Sequence, residues 1–413
     1  MSNKNLLPAD DAKGTFSFDE LYDNLENCLA CIIEKLKKGN ICAFVGAGFS
    51  YNANKSYPDW PTLLIDAYKE IHASKRKSNS VIKNAIRNDR ETKVAQQYVD
   101  FKGHREAIDT YIESKLNPID NALTNNLIVH KKLLDLNWAD VITTNWDTLL
   151  EQASYGEYEE VKTAKELKKN NHKRIIKING SLRSQDEIDA GKYEFDGTFD
   201  HLYIITENDF LSYEQKHNDF SNFMKVEFLE NSFCLFGFSG NDPNFRYWVK
   251  NLKSLMKKGG KTEEPNPIFM ITTKETIDEA TKLFYRNNYI IPIFIDDIIQ
   301  KIRSQMPVIT LKRGTAFIKN INNYPIPLKF DIFFDYLKEM TKENEGILAP
   351  MEHKVDSLSS IVDRKTEVLT ESQMTAYIKL DLFDMSNLKH TDYFVGIIRN
   401  YVHTQEIFST SIL

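Results

Sequence analysis

The sequence predicts an α/β protein: a Rossmann-like, doubly wound parallel sheet with a helical insert and a C-terminal extension. Three observations predict it. Short apolar runs recur up to about residue 300, and most are continuous rather than alternating, as strands buried on both faces of a parallel sheet require. Helical stretches separate several of them. The first run, Ile41 to Val45, opens directly into Gly46-Ala47-Gly48-Phe49-Ser50, where glycines permit a sharp turn and close approach of a phosphate to bare backbone amides.

Taken in order, Leu21, Leu25, Leu29, Ile32 and Leu36 follow helical spacing, so Phe16 to Lys38 reads as one amphipathic helix with Gly39-Asn40 as its stop. The expected strands are Ile41–Val45, Val141–Thr144, Arg174–Ile178, Leu202–Thr206, Phe233–Phe236, Ile268–Thr272 and Ile290–Ile295. Pro61 to Asn137 looks helical throughout and is too long for a simple crossover, which predicts a helical insert over about 61–137. Arg183 to His201 reads as a loop or hairpin, and Lys257 to Pro267 as an exposed connection. After about residue 300 the strand–helix rhythm ends at Tyr324-Pro325-Ile326-Pro327, with helical pieces near Phe330–Lys342 and Asp392–His403. The expected division is a main domain at 16–300 and a C-terminal extension at 301–413 serving assembly or partner contact.

The composition excludes several classes. In 413 residues, 53 Lys and Arg stand against 59 Asp and Glu, a net charge of −6 that argues against sequence-blind nucleic-acid binding. The basic clusters at Lys75-Arg76-Lys77, Lys168-Lys169 and Lys253 to Lys261 read as solvated surface. No stretch approaches the roughly 20 apolar residues of a membrane span. The polar segment Met1 to Gly14 lacks an apolar signal core, so the expectation is a cytoplasmic protein with no membrane contact. Cys28 and Cys31 have zinc-knuckle spacing, but no second pair completes a tetrahedral site among the four cysteines. They read as small residues on the first helix, and no metal site is expected.

Polar motifs fall where apolar runs end. Val141 to Thr144 leads into Asn145-Trp146-Asp147, Ile175 to Ile178 into Asn179-Gly180-Ser181, and Cys234-Leu235-Phe236 into Gly237-Phe238-Ser239-Gly240-Asn241-Asp242-Pro243-Asn244. Open α/β sheets bind ligands at the carboxyl ends of their strands, so four such ends predict one cleft. Tyr57-Pro58-Asp59-Trp60 follows the glycine loop and offers an aromatic to cover a flat ring.

In order along the chain, Gly46-Ala47-Gly48-x-Ser50, Pro58-Asp59-Trp60, Thr143-Thr144-Asn145-x-Asp147, Lys177-Ile178-Asn179-Gly180-Ser181, and Gly237-x-Ser239 with Asp242-Pro243-Asn244 resemble the signature of sirtuin-like NAD-binding domains. The bacterial branch found in antiphage defence is the closest match, over about residues 20 to 300. Two departures stand out. The four-cysteine zinc module of the deacylating sirtuins is absent, and Asn179 occupies the position of their catalytic His. His172, seven residues earlier, and His201 are weak substitutes.

The resemblance implies NAD+ as substrate. It puts Gly46 to Ser50 and Ser239 on phosphate and ribose, Asp242 and Asn244 at the adenosine end and Trp60 over the nicotinamide side, with Phe49, Pro58, Asp59, Thr144, Gly180, Ser181, Gly237 and Phe238 counted among the dinucleotide-binding residues. Asn145, Asp147 and Asn179 are the candidate catalytic residues. Asn145 orients water, Asp147 stabilises the cation or holds the ribose or carboxamide, and Asn179 contacts a ribose hydroxyl without acting as a base. The expected activity is NAD+ glycohydrolysis to nicotinamide and ADP-ribose by an NAD-depleting effector of abortive infection. Such an enzyme needs restraint, so a homo-oligomer and a separate partner, a HerA-type ATPase or another defence protein, are expected. The Asn179 departure motivates a second reading, a weakened NAD- or ADP-ribose-binding regulatory subunit. A protein deacylase or ADP-ribosyltransferase ranks below both.

Overall fold

The computed structural model describes residues 16–73, 77–122, 125–167, 173–183, 187, 203–238, 240, 242–258, 264–305 and 324–342. In chain order the elements are α1 (Phe18–Leu21), α2 (Leu25–Lys38), β1 (Ile41–Val45), a 3-10 turn at Ala47–Asn52, α3 (Trp60–Leu63), α4 (Ile65–Ile71), α5 (Asn79–Asp89), α6 (Glu91–Lys102), α7 (Glu106–Asp120) and α8 (Ile128–Leu134). Then come β2 (Val141–Thr143), α9 (Leu149–Ser154), β3 (Glu159–Val161), α10 (Ala164–Leu167), β4 (Arg174–Lys177), α11 (Glu207–Lys216), α12 (Asn218–Glu230) and β5 (Ser232–Phe236). The last are α13 (Pro243–Lys258), β6 (Ile268–Thr272), α14 (Glu279–Asn287), β7 (Ile290–Phe294), α15 (Ile295–Gln305) and α16 (Ile326–Thr341).

Among the described residues the seven strands form one parallel sheet in the order β3-β4-β2-β1-β5-β6-β7. Alternate residues of β1 serve different cores. Ile41, Ala43 and Val45 pack into a cluster with α2, α15 and α16, while Cys42 and Phe44 pack with α12 and α13. Both faces are therefore covered, which is why the strands read as continuous apolar runs. The chain leaves β1 towards β2 on one side and later returns to β5 on the other. The crevice beyond the carboxyl ends of β1 and β5 is the topological switch point of such a sheet.

Several expectations change. The first helix is two: Asp23 adopts φ 63° and Asn24 caps α2, accepting the Asn27 amide at 3.1 Å. Leu202–Thr206 is not a strand within its described part. Tyr203 makes an isolated antiparallel bridge with Gly180, and Arg105 and Asp209 take the backbone groups a ladder would have used. The β3 edge strand went unpredicted because Glu159 and Glu160 give it no apolar alternation; charge on an edge strand blunts pairing with other chains. The helices α5, α6 and α7, with α3 and α4, surround a core of their own, whereas Val129, Leu133 and Leu134 of α8 pack into the cluster that contains β1.

Phe330, Phe333, Phe334 and Leu337 of α16, which lie past residue 300, are buried in the same cluster as β1. The helix expected at Asp392–His403 lies outside the described residues, as do His172, His201 and most of Arg183–His201. Cys28 and Cys31 sit on the buried face of α2, where burial pushes their thiols up to about 12 and about 11. Among the described residues no helix is long and apolar enough to cross a membrane, and no cluster of His, Cys, Asp and Glu has the arrangement of a metal site.

Candidate functional site

The glycine loop is more occupied than its sequence suggests. Gly46 N–H donates to Phe236 O at 2.9 Å, Gly48 N–H to Gly237 O at 2.9 Å, and Phe49 N–H back to Gly46 O at 2.9 Å. The loop from β1 thus rests on the loop from β5 instead of presenting an open row of amides. This crossing explains the glycines. A Cβ on Gly48 would lie 2.8 Å from Gly237 O, and one on Gly237, at φ 60°, would lie 2.1 Å from Phe49 N. Ala47, exposed at the start of the 3-10 turn, and Ser50 are the parts of the loop that line the pocket.

That pocket lies where β1, β2 and the insert meet. Ala47 and Ser50 from the glycine loop, Thr144, Asn145, Trp146 and Asp147 from the end of β2, and Tyr57, Pro58, Trp60, Leu63 and Leu116 line it. Trp60 lies flat on Trp146, with ring centroids 5.8 Å apart and planes 15° from parallel. Trp146 in turn donates its indole N–H to Asn179 O at 2.9 Å. The motif reading passed through Tyr57 and Trp146, which flank assigned residues, without giving either a role, and nothing in the sequence pointed to Leu63 or Leu116.

A directional chain of hydrogen bonds sets Asn145. Ser50 Oγ donates to Asp147 Oδ2 at 2.7 Å, and Asn145 Nδ2 donates to Ser50 Oγ at 3.1 Å. The one hydroxyl proton of Ser50 goes to the carboxylate, so its oxygen can only accept from Asn145. The Asn145 amide nitrogen must therefore face Ser50, and its Oδ1 faces away, buried and without a partner among the described residues. An acceptor held this way costs about 1–3 kcal/mol until a donor reaches it. Asp147 is held by Ser50 and by the Leu149 amide at 3.3 Å. Burial pushes its carboxyl up, while the Lys177 ammonium and the Ser50 hydroxyl pull it down.

The other predicted residues divide into those that reach this neighbourhood and those that serve the scaffold. Asn179, fully buried, donates from Nδ2 to Asp242 Oδ2 at 3.3 Å, so Asp242 lies against Asn179 rather than apart from it. Asp242 also caps α13, accepting the Phe245 amide at 2.9 Å, and Asn244 is buried in the first turn. Asp59 is different: it caps α3 through the Thr62 amide at 3.1 Å, pairs with Lys83 at 2.9 Å, and does not line the pocket. Ser181 turns towards the sheet edge and donates to Glu160 at 3.2 Å. Phe49 packs inward against His130, Phe330 and Phe334. Gly180 supplies a left-handed turn at φ 91°, and Phe238 packs on Phe44. Ser239 lies outside the described residues.

Residues 139–293 match the family model of a SIR2-like domain. The chain carries a SIR2-like domain. The match begins beside β2 and ends in β7, so it takes in the strand ends that carry Asn145, Asn179 and Asp242. Beyond the family model, the chain is 27% identical to defence-associated sirtuin 2 of Bacillus subtilis over 274 residues, which are 65% of this chain and 24% of that protein. It is 25% identical to the NAD(+) hydrolase ThsA of Enterococcus faecium over 262 residues, 62% of this chain and 48% of that one. It therefore spans about a quarter of the first relative's length and about half of the second's. The glycine loop and the Tyr57–Trp60 side of the pocket lie before the segment that the family model matches, and both relatives are longer than the stretch they share with this chain.

Proposed function

We propose that the SIR2-like domain hydrolyses NAD+ to nicotinamide and ADP-ribose and acts as an NAD-depleting effector of antiphage defence through abortive infection. The orientation of Asn145 carries this reading: a buried amide oxygen without a partner among the described residues, linked through Ser50 to Asp147, in a pocket that Trp60 and Trp146 also line. A relative named an NAD(+) hydrolase supports it.

The chemistry suits these groups. The pyridinium of NAD+ is already a cationic leaving group, so breaking the bond from ribose C1′ to the ring nitrogen needs no strong acid. The bonding pair leaves with nicotinamide, and positive charge develops on the ribose. Asp147 stabilises that charge, and a low-dielectric site makes the interaction worth more than it would be in water. Asn145 Oδ1 accepts a hydrogen bond from water and aims its oxygen at C1′. The new C1′–O bond completes ADP-ribose, and the released proton passes to solvent. Trp60, backed by Trp146, offers a flat surface to the nicotinamide ring.

Asn179 favours one alternative, an NAD- or ADP-ribose-binding regulatory subunit, because an amide cannot take the proton that a His would. Control by self-association or by a partner such as a HerA-type ATPase, in the cytoplasm, completes the proposal. Purified protein incubated with NAD+, alone and with the product of a neighbouring gene, is expected to release nicotinamide in at least one condition. Binding of NAD+ without release in either would select the regulatory reading.

A further inference from the structure

Asp242 and Asn179 come from different strand ends, sixty-three positions apart, and meet in the interior. Asp242 Oδ1 is committed to the Phe245 amide and Oδ2 accepts from Asn179. The Asn179 backbone oxygen is committed too, to Trp146 Nε1 at 2.9 Å and to the Ile204 amide at 3.0 Å. Two buried polar atoms remain without partners among the described residues: Asn179 Oδ1, an acceptor, and Asn244 Nδ2, a donor. Asn179 is completely buried, and Asn244 is 7% exposed on the first turn of α13.

An ionised carboxylate accepts hydrogen bonds and cannot donate them. The Asn179 amide can therefore present only its NH2 to Asp242; turned over, it would set two acceptors face to face. This is the arrangement at Asn145, where Asp147 acts through Ser50. In both places an acidic residue determines which way an asparagine points, and in both the amide oxygen is left over.

We infer that Asp242 is the positioning residue for Asn179, holding its amide so that Oδ1 accepts from a ribose hydroxyl of the bound dinucleotide. The inference rests on the NAD+ reading and names the sugar hydroxyls as what that end of the site recognises. A ribose hydroxyl, which both donates and accepts, satisfies Asn179 Oδ1. The oxygen is enclosed by the surrounding chain, so the ligand has to part that cover to reach it. Burial raises the Asp242 carboxyl on balance, and the hydrogen bonds from Phe245, Asn179 and Asn244 oppose it.

The test is calorimetric titration of the full chain with ADP-ribose, paired with steady-state nicotinamide release. Asp242→Ser keeps a good helix cap and removes the carboxylate. Losing one oriented hydrogen bond is expected to weaken ADP-ribose binding about 10-fold and to raise KM for NAD+ by a similar factor. Asn179→Asp alone sets two carboxylates together and is expected to weaken binding at least as much. The exchanged pair Asn179→Asp with Asp242→Asn restores one NH2 facing one carboxylate and leaves an acceptor over, so affinity is expected to return to within about threefold of wild type. A role confined to capping α13 gives no such rescue. Wild-type affinity in Asp242→Ser, or no recovery in the exchanged pair, overturns the positioning role while the NAD+ reading stands. Wild-type protein that binds neither NAD+ nor ADP-ribose overturns both. If Asp242→Ser does not fold, Asp242→Asn replaces it; that variant retains the cap but frees the amide to turn, and unchanged affinity there overturns the role equally.

Discussion

Lys177 is fully buried, with its ammonium 3.1 Å from the Glu151 carboxylate and hydrogen-bonded to the backbone carbonyl of Asp147. It belongs to β4, whereas the turn it holds follows β2. One side chain therefore ties two neighbouring strand ends together directly behind Asn145 and Asp147. Glu151 sits on α9, one helical turn beyond Asp147, so the same helix supplies the counter-charge.

Removing this lysine strands an acid. Lys177→Met is expected to cost about 3 kcal/mol of stability, because breaking a buried pair leaves the other charge uncompensated. Loss of the tether to Asp147 should also lower kcat for NAD+ cleavage more than it raises KM. Urea denaturation followed by steady-state kinetics checks both. A variant as stable and active as wild type would show that the tether is idle.

Glu151 predicts a pH dependence of stability. Burial raises its carboxyl from 4.5 to about 7, against the pull of Lys177, while Glu160 pushes it the same way as burial. The folded-state value lies above the unfolded one, so the folded protein holds the proton more tightly in between. Its contribution is complete below about 4.5 and is lost as pH rises through about 7. Denaturation of wild type and Glu151→Gln between pH 5 and pH 8 should show wild type losing stability relative to the variant as pH rises. The opposite slope would contradict the assignment.

The glycine crossing separates close approach from backbone conformation. Gly237 and Gly103 both have positive φ, 60° and 80°, but only Gly237 has backbone against the place of a Cβ. Gly103→Ala should therefore cost about 1 kcal/mol, the conformational part alone. Gly237→Ala should cost about 3 kcal/mol or more and weaken NAD+ binding as the two loops separate. Thermal melts and titration with NAD+ measure both. Equal effects at the two positions would mean that the crossing is not tight.

Asn145→Ala tests the site itself. It removes the oriented oxygen and leaves Ser50 bound to Asp147, so folding should be nearly unchanged. Nicotinamide release is expected to fall at least about 100-fold, the scale of a lost preorganised group in other enzymes. Cleavage at the wild-type rate would place the chemistry elsewhere.

Much of this architecture is local in origin. Continuous apolar runs marked β1, β2, β4, β5, β6 and β7, because burial on both faces needs no alternation. The short polar motifs at strand ends carried the sirtuin resemblance, since a parallel sheet gathers those ends at one edge. Chain order alone thus determined the fold class and placed Ser50, Asn145 and Asp147 near one another. What needed the tertiary structure was direction and occupancy. The amides of Gly46 and Gly48 are taken by the β5 loop, Asp59 turns away to cap a helix, and Asp242 comes to Asn179. Lys177 reaches across from β4, and α16 joins the core past the expected boundary. Each depends on a partner far away in sequence, and a hydrogen bond or a close contact is set by where two distant segments meet, which no local pattern encodes.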